Sequence, residues 1–419
     1  MNEVKYIICG QMFDGIHDEL LLKQIIAVQN GRIAKVGKDI PIPRNAEVID
    51  LSHLTVTPGL SDVHVHSEKM DNPKDPPFPS EGRRTLGHLY VAQRSLERGF
   101  TTIRCFNTDR NYGIVDTKRL IDEGYFIGSR MVVSGHMMGS IGGHCDMSGM
   151  NGLVMDPELC ELAQNRLAIG VGENFFRTVV QRDVKYGADF IKIMYSGGFL
   201  TPTDGPEDQQ LSDDEMRAII YTAHALSRTV TAHVYSSENI RKLLSFGIDG
   251  MEHCSMIDEE TAELVADSGA YVVNTLMPYD NIVAMNDDEI AKMRPQHMVN
   301  KMLKYRPKLE SGRQVLAKSR IKRLGFGSDI VTNYQSYDAW REYAAWLRAG
   351  FDPFRTLRAA TSVNADIMGL GSEIGSIEAG KIADLAGWHR NLLTDPDALS
   401  QCDFVMKEGV EYNAVYAVK

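Results

Sequence analysis

Between Thr57 and about Ala365, eight short apolar segments alternate with stretches of amphipathic periodicity, and this alternation restricts the fold of the 419-residue chain more than any other feature. The first segment carries His64 and His66. The others are Thr101–Cys105, Met131–Ser134, Phe190–Met194, Val230–Tyr235, Gly250–His253, Tyr271–Asn274 and Leu324–Ser328. Helical periodicity fills Arg83–Arg98, Asp213–Leu226, Ser237–Phe246 and Glu259–Ser268 between them. Ser212 followed by Glu215 has the form of a capping box at a helix start. Strand–helix alternation builds a parallel sheet, and eight units fit an α/β fold closed as a (β/α)8 TIM barrel better than an open sheet.

The flanks have a different character. Ile25–Gln29 and Arg32–Val36 surround Asn30-Gly31, a pair suited to the positive φ angles of a type I′ turn, and Val48–Leu51 adds a strand. Beyond Thr361, the turn-rich Gly375–Leu385 leads into a strand. Phe404–Met406 and Tyr412–Val415 flank Lys407-Glu408-Gly409 as a hairpin. The expectation is a small β-sandwich domain from residues 1–56 and 366–419, with the barrel, 57–365, inserted between its halves.

Composition narrows the class of protein. A hydrophobic fraction of 43% and a charged fraction of 24% are ordinary for a globular enzyme. The net charge of −11 comes from dispersed acids and argues against nucleic acid or an anionic membrane as partner. The six cysteines lack CxxC spacing and read as reduced thiols. With no signal-like start and no membrane-length apolar run, the sequence reading is a cytoplasmic protein acting on a small molecule. Oligomeric state stays open, a homo-oligomer included.

Barrel active sites lie at the C-terminal ends of the strands, so polar residues there are the candidates. His64 and His66 are two residues apart on a strand and face the same side, so both imidazoles can converge on one metal ion. Lys192 interrupts an apolar strand, where an unpaired ammonium is costly to bury. It is either half of a buried ion pair or a lysine carboxylated by carbon dioxide, which turns a cation into an anionic oxygen ligand. His233 shares a strand face with Tyr235, His253 ends the next strand, and Asp329 follows the eighth. His136 and His144 follow the third strand, and packing is the alternative for each. His17, His53, His88, His224, His297 and His389 lack such placement and read as surface or structural. Ser196-Gly197-Gly198 lacks the GxxxxGK[ST] pattern and reads as a loop shaping the barrel mouth. Trp340 and Trp346, at helical spacing with Tyr337 and Tyr343, read as helix packing.

Taken together, Pro58–His66, Ile191-Lys192, Ala232-His233, Glu252-His253, Gly327-Ser328-Asp329 and Gly380–Leu385 resemble the amidohydrolase superfamily of metal-dependent hydrolases. The likeness extends over nearly the whole chain. Gly142–Asp146, Lys192–Gly198 and Ala232–Tyr235 are similar to its Xaa-Pro dipeptidase-like (prolidase-like) and carboxypeptidase-like branch, although Cys145 and Cys254 stand where glycine is common. The resemblance implies two divalent metal ions, zinc being the expected metal. His64, His66 and Asp329 would bind one, His233 and His253 the other, and carboxylated Lys192 would bridge them. It implies a metal-bridging hydroxide as nucleophile, Asp329 as general base and then acid, and Tyr235 and His144 as groups that polarise the scissile carbonyl or hold substrate.

The expected reaction is hydrolysis of an amide or peptide bond to a C-terminal amino acid, on a dipeptide or an N-acyl amino acid. The alternatives are a cyclic-amide hydrolase, a deaminase, or a non-catalytic barrel relative. Lys192 weighs against the mononuclear deaminases and the full ligand set against a non-catalytic barrel.

Overall fold

The computed structural model describes residues 4–67, 80–106, 108, 111–146, 167–292, 295–330 and 337–412. Cys160 and residues 413–415 of the expected final strand lie outside them. The described residues form two sheets.

The terminal sheet contains β1 (Lys5–Met12), β2 (Leu21–Leu22), β3 (Ile25–Gln29), β4 (Arg32–Gly37) and β5 (Glu47–Pro58) from the first half of the chain. The barrel strands, which come next in the sequence, are β6 (Leu60–Val65), β7 (Phe100–Cys105), β8 (Arg130–Met138), β9 (Phe190–Met194), β10 (Val230–Ser236), β11 (Gly250–Met256), β12 (Tyr271–Asn274) and β13 (Leu324–Phe326). The chain then returns to the terminal sheet with β14 (Leu385–Trp388), β15 (Phe404–Lys407) and β16 (Val410–Glu411).

In the terminal sheet the strand order is β16-β15-β14-β5-β1-β3-β4, with β2 beside β1. Asn30 and Gly31 take φ angles of 53° and 75°, as the type I′ turn requires. The sheet is mixed because β1 runs parallel to β5 and antiparallel to β3. That parallel pairing joins segments about forty residues apart, beyond the reach of any local pattern. The sheet curls until its ends meet. Arg32 forms a bridge with Ile382, and a Cβ at Gly31 would lie 2.8 Å from the Glu408 carbonyl oxygen. Ile7, Ile26, Val56, Leu385 and Met406 fill the enclosed core.

β5 runs on to Pro58, and only Gly59 separates it from β6. A Cβ at Gly59 would lie 2.2 Å from the Thr101 hydroxyl, so glycine lets the chain pass between the two sheets. In the barrel, neighbouring strands run parallel from β6 through β13 in sequence order. Closure comes beyond the regular strands: Val65 bridges Ile330, and the Asp329 N–H donates to the His64 carbonyl at 2.9 Å. Asp62 fastens the same seam. Its carboxylate accepts the Ser328 N–H at 2.9 Å, the Ser328 hydroxyl at 2.5 Å and the Tyr337 hydroxyl at 3.0 Å. The helices Glu81–Glu97, Asp213–Ala225, Ser237–Ser245 and Glu259–Ser268 fall where the periodicity puts them. Ser212 and Glu215 form the capping box, and Tyr343 and Trp346 pack inside. Among the described residues no helix is long and apolar enough to cross a membrane.

Candidate metal centre

The site begins at the seam. His64 lies near the end of β6 and His66 just beyond it. Their Nε2 atoms stand 3.4 Å and 3.5 Å from the same oxygen, Asp329 Oδ1. The backbone bond that closes the barrel thus brings together the carboxylate and both imidazoles.

A second pair faces them. His233 of β10 and His253 of β11 sit on adjacent strands, and His233 Nδ1 and His253 Nε2 lie 2.8 Å apart. His253 Nδ1 contacts the Thr275 hydroxyl at 2.7 Å and lies 3.8 Å from Asp329 Oδ2. One donor atom from each of His64, His253 and Asp329 falls within 4.8 Å of the others, so Asp329 connects the two pairs. Burial drives the imidazoles of His64, His233 and His253 well below the usual histidine range, which leaves them neutral, the form that binds metal. His253, Cys254 and Asp329 have φ angles of 70°, 52° and 46°. Cys254 is thus held in the left-handed region that glycine adopts without cost. Strain of this kind persists where the surrounding packing over-determines the backbone.

Lys192 enters from β9 between the two pairs' strands. Its ammonium is buried, has no hydrogen-bond partner among the described residues and lies 4.1 Å from the centre of the Phe106 ring. Burial lowers its pKa from the usual lysine value to about 8. Among the described residues Lys192 forms no salt bridge, although the charges of Glu252 and Asp329 favour its protonated form.

Around the mouth, Tyr235 stacks on His253 with ring centroids 5.1 Å apart, and its hydroxyl meets that of Tyr279 at 2.5 Å. His144 stacks on His233 at 4.6 Å. Its Nδ1 faces the Thr201 hydroxyl at 3.1 Å and Asp204 Oδ2 at 3.4 Å. Asp204 also holds the Gln210 amide at 2.9 Å and Lys301 Nζ at 3.3 Å. The Ser196-Gly197-Gly198 loop makes room for this ring, since a Cβ at Gly198 would come within 2.2 Å of His144 Cε1. His136 belongs elsewhere. Buried on β8, it bonds Asp183 at 2.8 Å on the helix Glu173–Tyr186, edge-on to Tyr112, in the strand–helix layer. His88 contacts the Ser67 hydroxyl at 2.7 Å, a structural role.

Sequence reasoning overlooked Arg104, Thr275, Tyr279 and Asp204. Arg104 had a signal, because it interrupts the apolar strand Thr101–Cys105 as Lys192 interrupts its own. The others sit in loops or at a helix start, where no periodicity marks them.

The sequence pattern of the amidohydrolase family matches residues 55–412. The chain belongs to that family. The ochratoxinase of Aspergillus niger is 26% identical over 417 residues, covering 94% of this chain and 82% of that protein. A prolidase solved in complex with N-methylphosphonate-L-proline superposes with a TM-score of 0.83 at 28% identity, covering 98% of this chain and 99% of the other. A Xaa-Pro dipeptidase solved with methionine in its active site shares the fold, with a TM-score of 0.85 at 24% identity over 98% of this chain and all of the other. Within the amidohydrolase family the chain therefore groups with its prolidase-like and ochratoxinase-like branch.

As an amidohydrolase it is a metal-dependent hydrolase acting on amide-type bonds. The donor set fits that chemistry: neutral imidazoles and a carboxylate gathered at one end of the barrel, with His233 Nε2 and Lys192 Nζ buried and unpartnered.

Proposed function

We propose that this amidohydrolase cleaves the amide bond to a C-terminal amino acid, on a dipeptide or an N-acyl amino acid, at a binuclear centre. His64, His66 and Asp329 hold one ion and His233 and His253 the other. Carboxylated Lys192 would be shared between them, and zinc would suit this nitrogen- and oxygen-donor set. The observation that carries the proposal is Lys192, a buried amine with histidines on either side and no hydrogen-bond partner among the described residues. Its neutral nitrogen adds to the carbon of carbon dioxide and releases one proton to solvent, and the resulting carbamate would give the cavity an anionic oxygen ligand in place of an uncompensated ammonium.

When bound, the ions lower the pKa of water toward neutrality and polarise the substrate carbonyl. The protein's own groups do the rest. Asp329, within 4 Å of three imidazoles, takes the proton of the attacking water and returns it to the departing nitrogen. Tyr235 and His144, stacked on His253 and His233, aim their donors at the oxygen on which charge develops. The prolidase relative bound to N-methylphosphonate-L-proline, whose amino acid is substituted on nitrogen, supports the assignment of substrate class.

The test is a screen of zinc- and bicarbonate-loaded protein against dipeptides and N-acyl amino acids, with Asp329→Asn as control. Release of free amino acid by the wild type, lost in the variant, is expected. Turnover confined to cyclic amides or ring amines contradicts the substrate class, and wild-type activity in Asp329→Asn contradicts its proton-transfer role.

A further inference from the structure

Beneath the metal ligands lies a buried ion pair that binds no metal in the scheme above. Arg104 projects from β7 and spends its N–H groups on three other strands, β6, β12 and β11. Nε donates to the Val63 carbonyl at 2.8 Å, Nη1 to the Tyr271 hydroxyl at 2.9 Å and Nη2 to Glu252 Oε1 at 2.5 Å. The same Oε1 accepts the Thr231 hydroxyl at 2.6 Å, while Oε2 meets His64 Nδ1 at 2.8 Å. Arg104, Glu252 and His64 are 2%, 0% and 1% exposed, so water does not satisfy these groups.

We infer that Glu252, held by Arg104, is a positioning residue that fixes His64 as its Nδ1–H tautomer and turns the Nε2 lone pair toward the metal site. The chemistry leaves one arrangement. A carboxylate paired with a guanidinium has only acceptors to offer, so the imidazole nitrogen against Oε2 must be the donor. The other nitrogen then carries a lone pair, and it is the one 3.4 Å from Asp329. The Phe106 ring, edge-on to His64 with centroids 4.3 Å apart, packs the imidazole in that pose. Stability alone is a weak reason to bury such a pair, because well-packed apolar residues in its place are often neutral or stabilising. Orienting a metal-binding histidine from its far nitrogen is a sufficient one.

The inference rests on the metal reading above, so its test separates the two. Glu252→Gln keeps the shape of the side chain but no longer compels Nδ1 to be the donor, because an amide can also donate. In folded Glu252→Gln protein, zinc affinity measured by chelator competition should fall about 10- to 100-fold. The double variant Arg104→Met/Glu252→Gln removes the stranded guanidinium and guards against failure to fold. If Glu252 served only to pair the arginine, the double variant would regain wild-type zinc affinity, and that result overturns the inference, as does unchanged affinity in folded Glu252→Gln. A third readout needs no metal. Nitrogen-15 spectra of histidine-labelled, metal-free wild type, with His64 assigned by its loss in His64→Asn, should show the Nδ1–H tautomer. An Nε2–H tautomer there overturns the inference. Wild type that takes up no zinc overturns the binuclear reading instead, and the tautomer then decides the role of Glu252 alone.

Discussion

The hydroxyls of Tyr235 and Tyr279 lie 2.5 Å apart and join the fifth barrel strand to the helix Met277–Ala284 beyond the seventh. A buried phenol and a half-buried one sharing one hydrogen bond can leave one proton free to meet an incoming oxygen. Tyr235→Phe is expected to lower kcat about 10²- to 10³-fold, the range for loss of one oxyanion donor, with metal content unchanged. Tyr279→Phe, which removes only the group that orients Tyr235, should cost less. Steady-state kinetics alongside metal analysis checks both, and equal losses in the two variants would contradict the division of roles.

Lys192 gives a prediction with a defined sign. Its amine titrates near pH 8 because burial disfavours the ammonium. Below that pH the nitrogen is protonated and cannot attack carbon dioxide. Metal uptake by metal-free protein should therefore depend on bicarbonate and quicken as pH rises through about 8. In the metal-free protein the same group makes the fold more stable as pH rises from about 8 to the ordinary lysine value of 10.5, because the unfolded chain binds the proton more readily over that interval. Uptake that is complete in carbon-dioxide-free buffer at every pH contradicts the carbamate.

Asp204 predicts an acid limb. Burial works to raise its carboxyl, but the hydrogen bonds from His144, Thr201 and Gly198, together with the charge of His144, hold it below the usual carboxylate range. The stability it contributes is present above the unfolded value, about pH 4, and is lost as pH falls through the lower folded value. Asp204→Asn should be less stable than wild type at pH 7 and should flatten this acid limb in thermal unfolding measured against pH. It should also lower kcat/KM by freeing the His144 ring.

His136 and His144 make a paired contrast. His136 lies within the third barrel strand and His144 in the loop beyond it, and only His144 reaches the site. His136→Asn should cost about 1–3 kcal/mol of stability by weakening the ring's bond to the buried Asp183 carboxylate, which keeps the Tyr112 hydroxyl and the backbone N–H of residue 136, with kcat and metal content unchanged. His144→Asn should do the reverse. Denaturant unfolding and kinetics on the two variants check the contrast.

That contrast shows where the sequence was readable. His64, His66, Lys192, His233, His253 and Asp329 announce themselves because strands impose a two-residue period and a barrel places strand ends in one ring, so residue type and position together give the site. The eight barrel strands were legible for the same reason. What local pattern does not carry is which face a residue takes once a strand runs on. β8 continues to Met138, four residues past its expected end, and this turns His136 into the helix layer. Nor does it carry partners brought from far along the chain. Tyr279 meets Tyr235 across 44 residues, Glu252 meets His64 across 188, and Asp62 meets Ser328 across 266.

The central claim is a two-metal amidohydrolase centre bridged by carboxylated Lys192, and metal stoichiometry tests it most directly. Protein reconstituted with zinc and bicarbonate, freed of loosely held ions and measured by inductively coupled plasma mass spectrometry, should carry two zinc ions per chain, and Lys192→Ala should carry fewer. One ion or none in the wild type, or two in Lys192→Ala, would contradict the account.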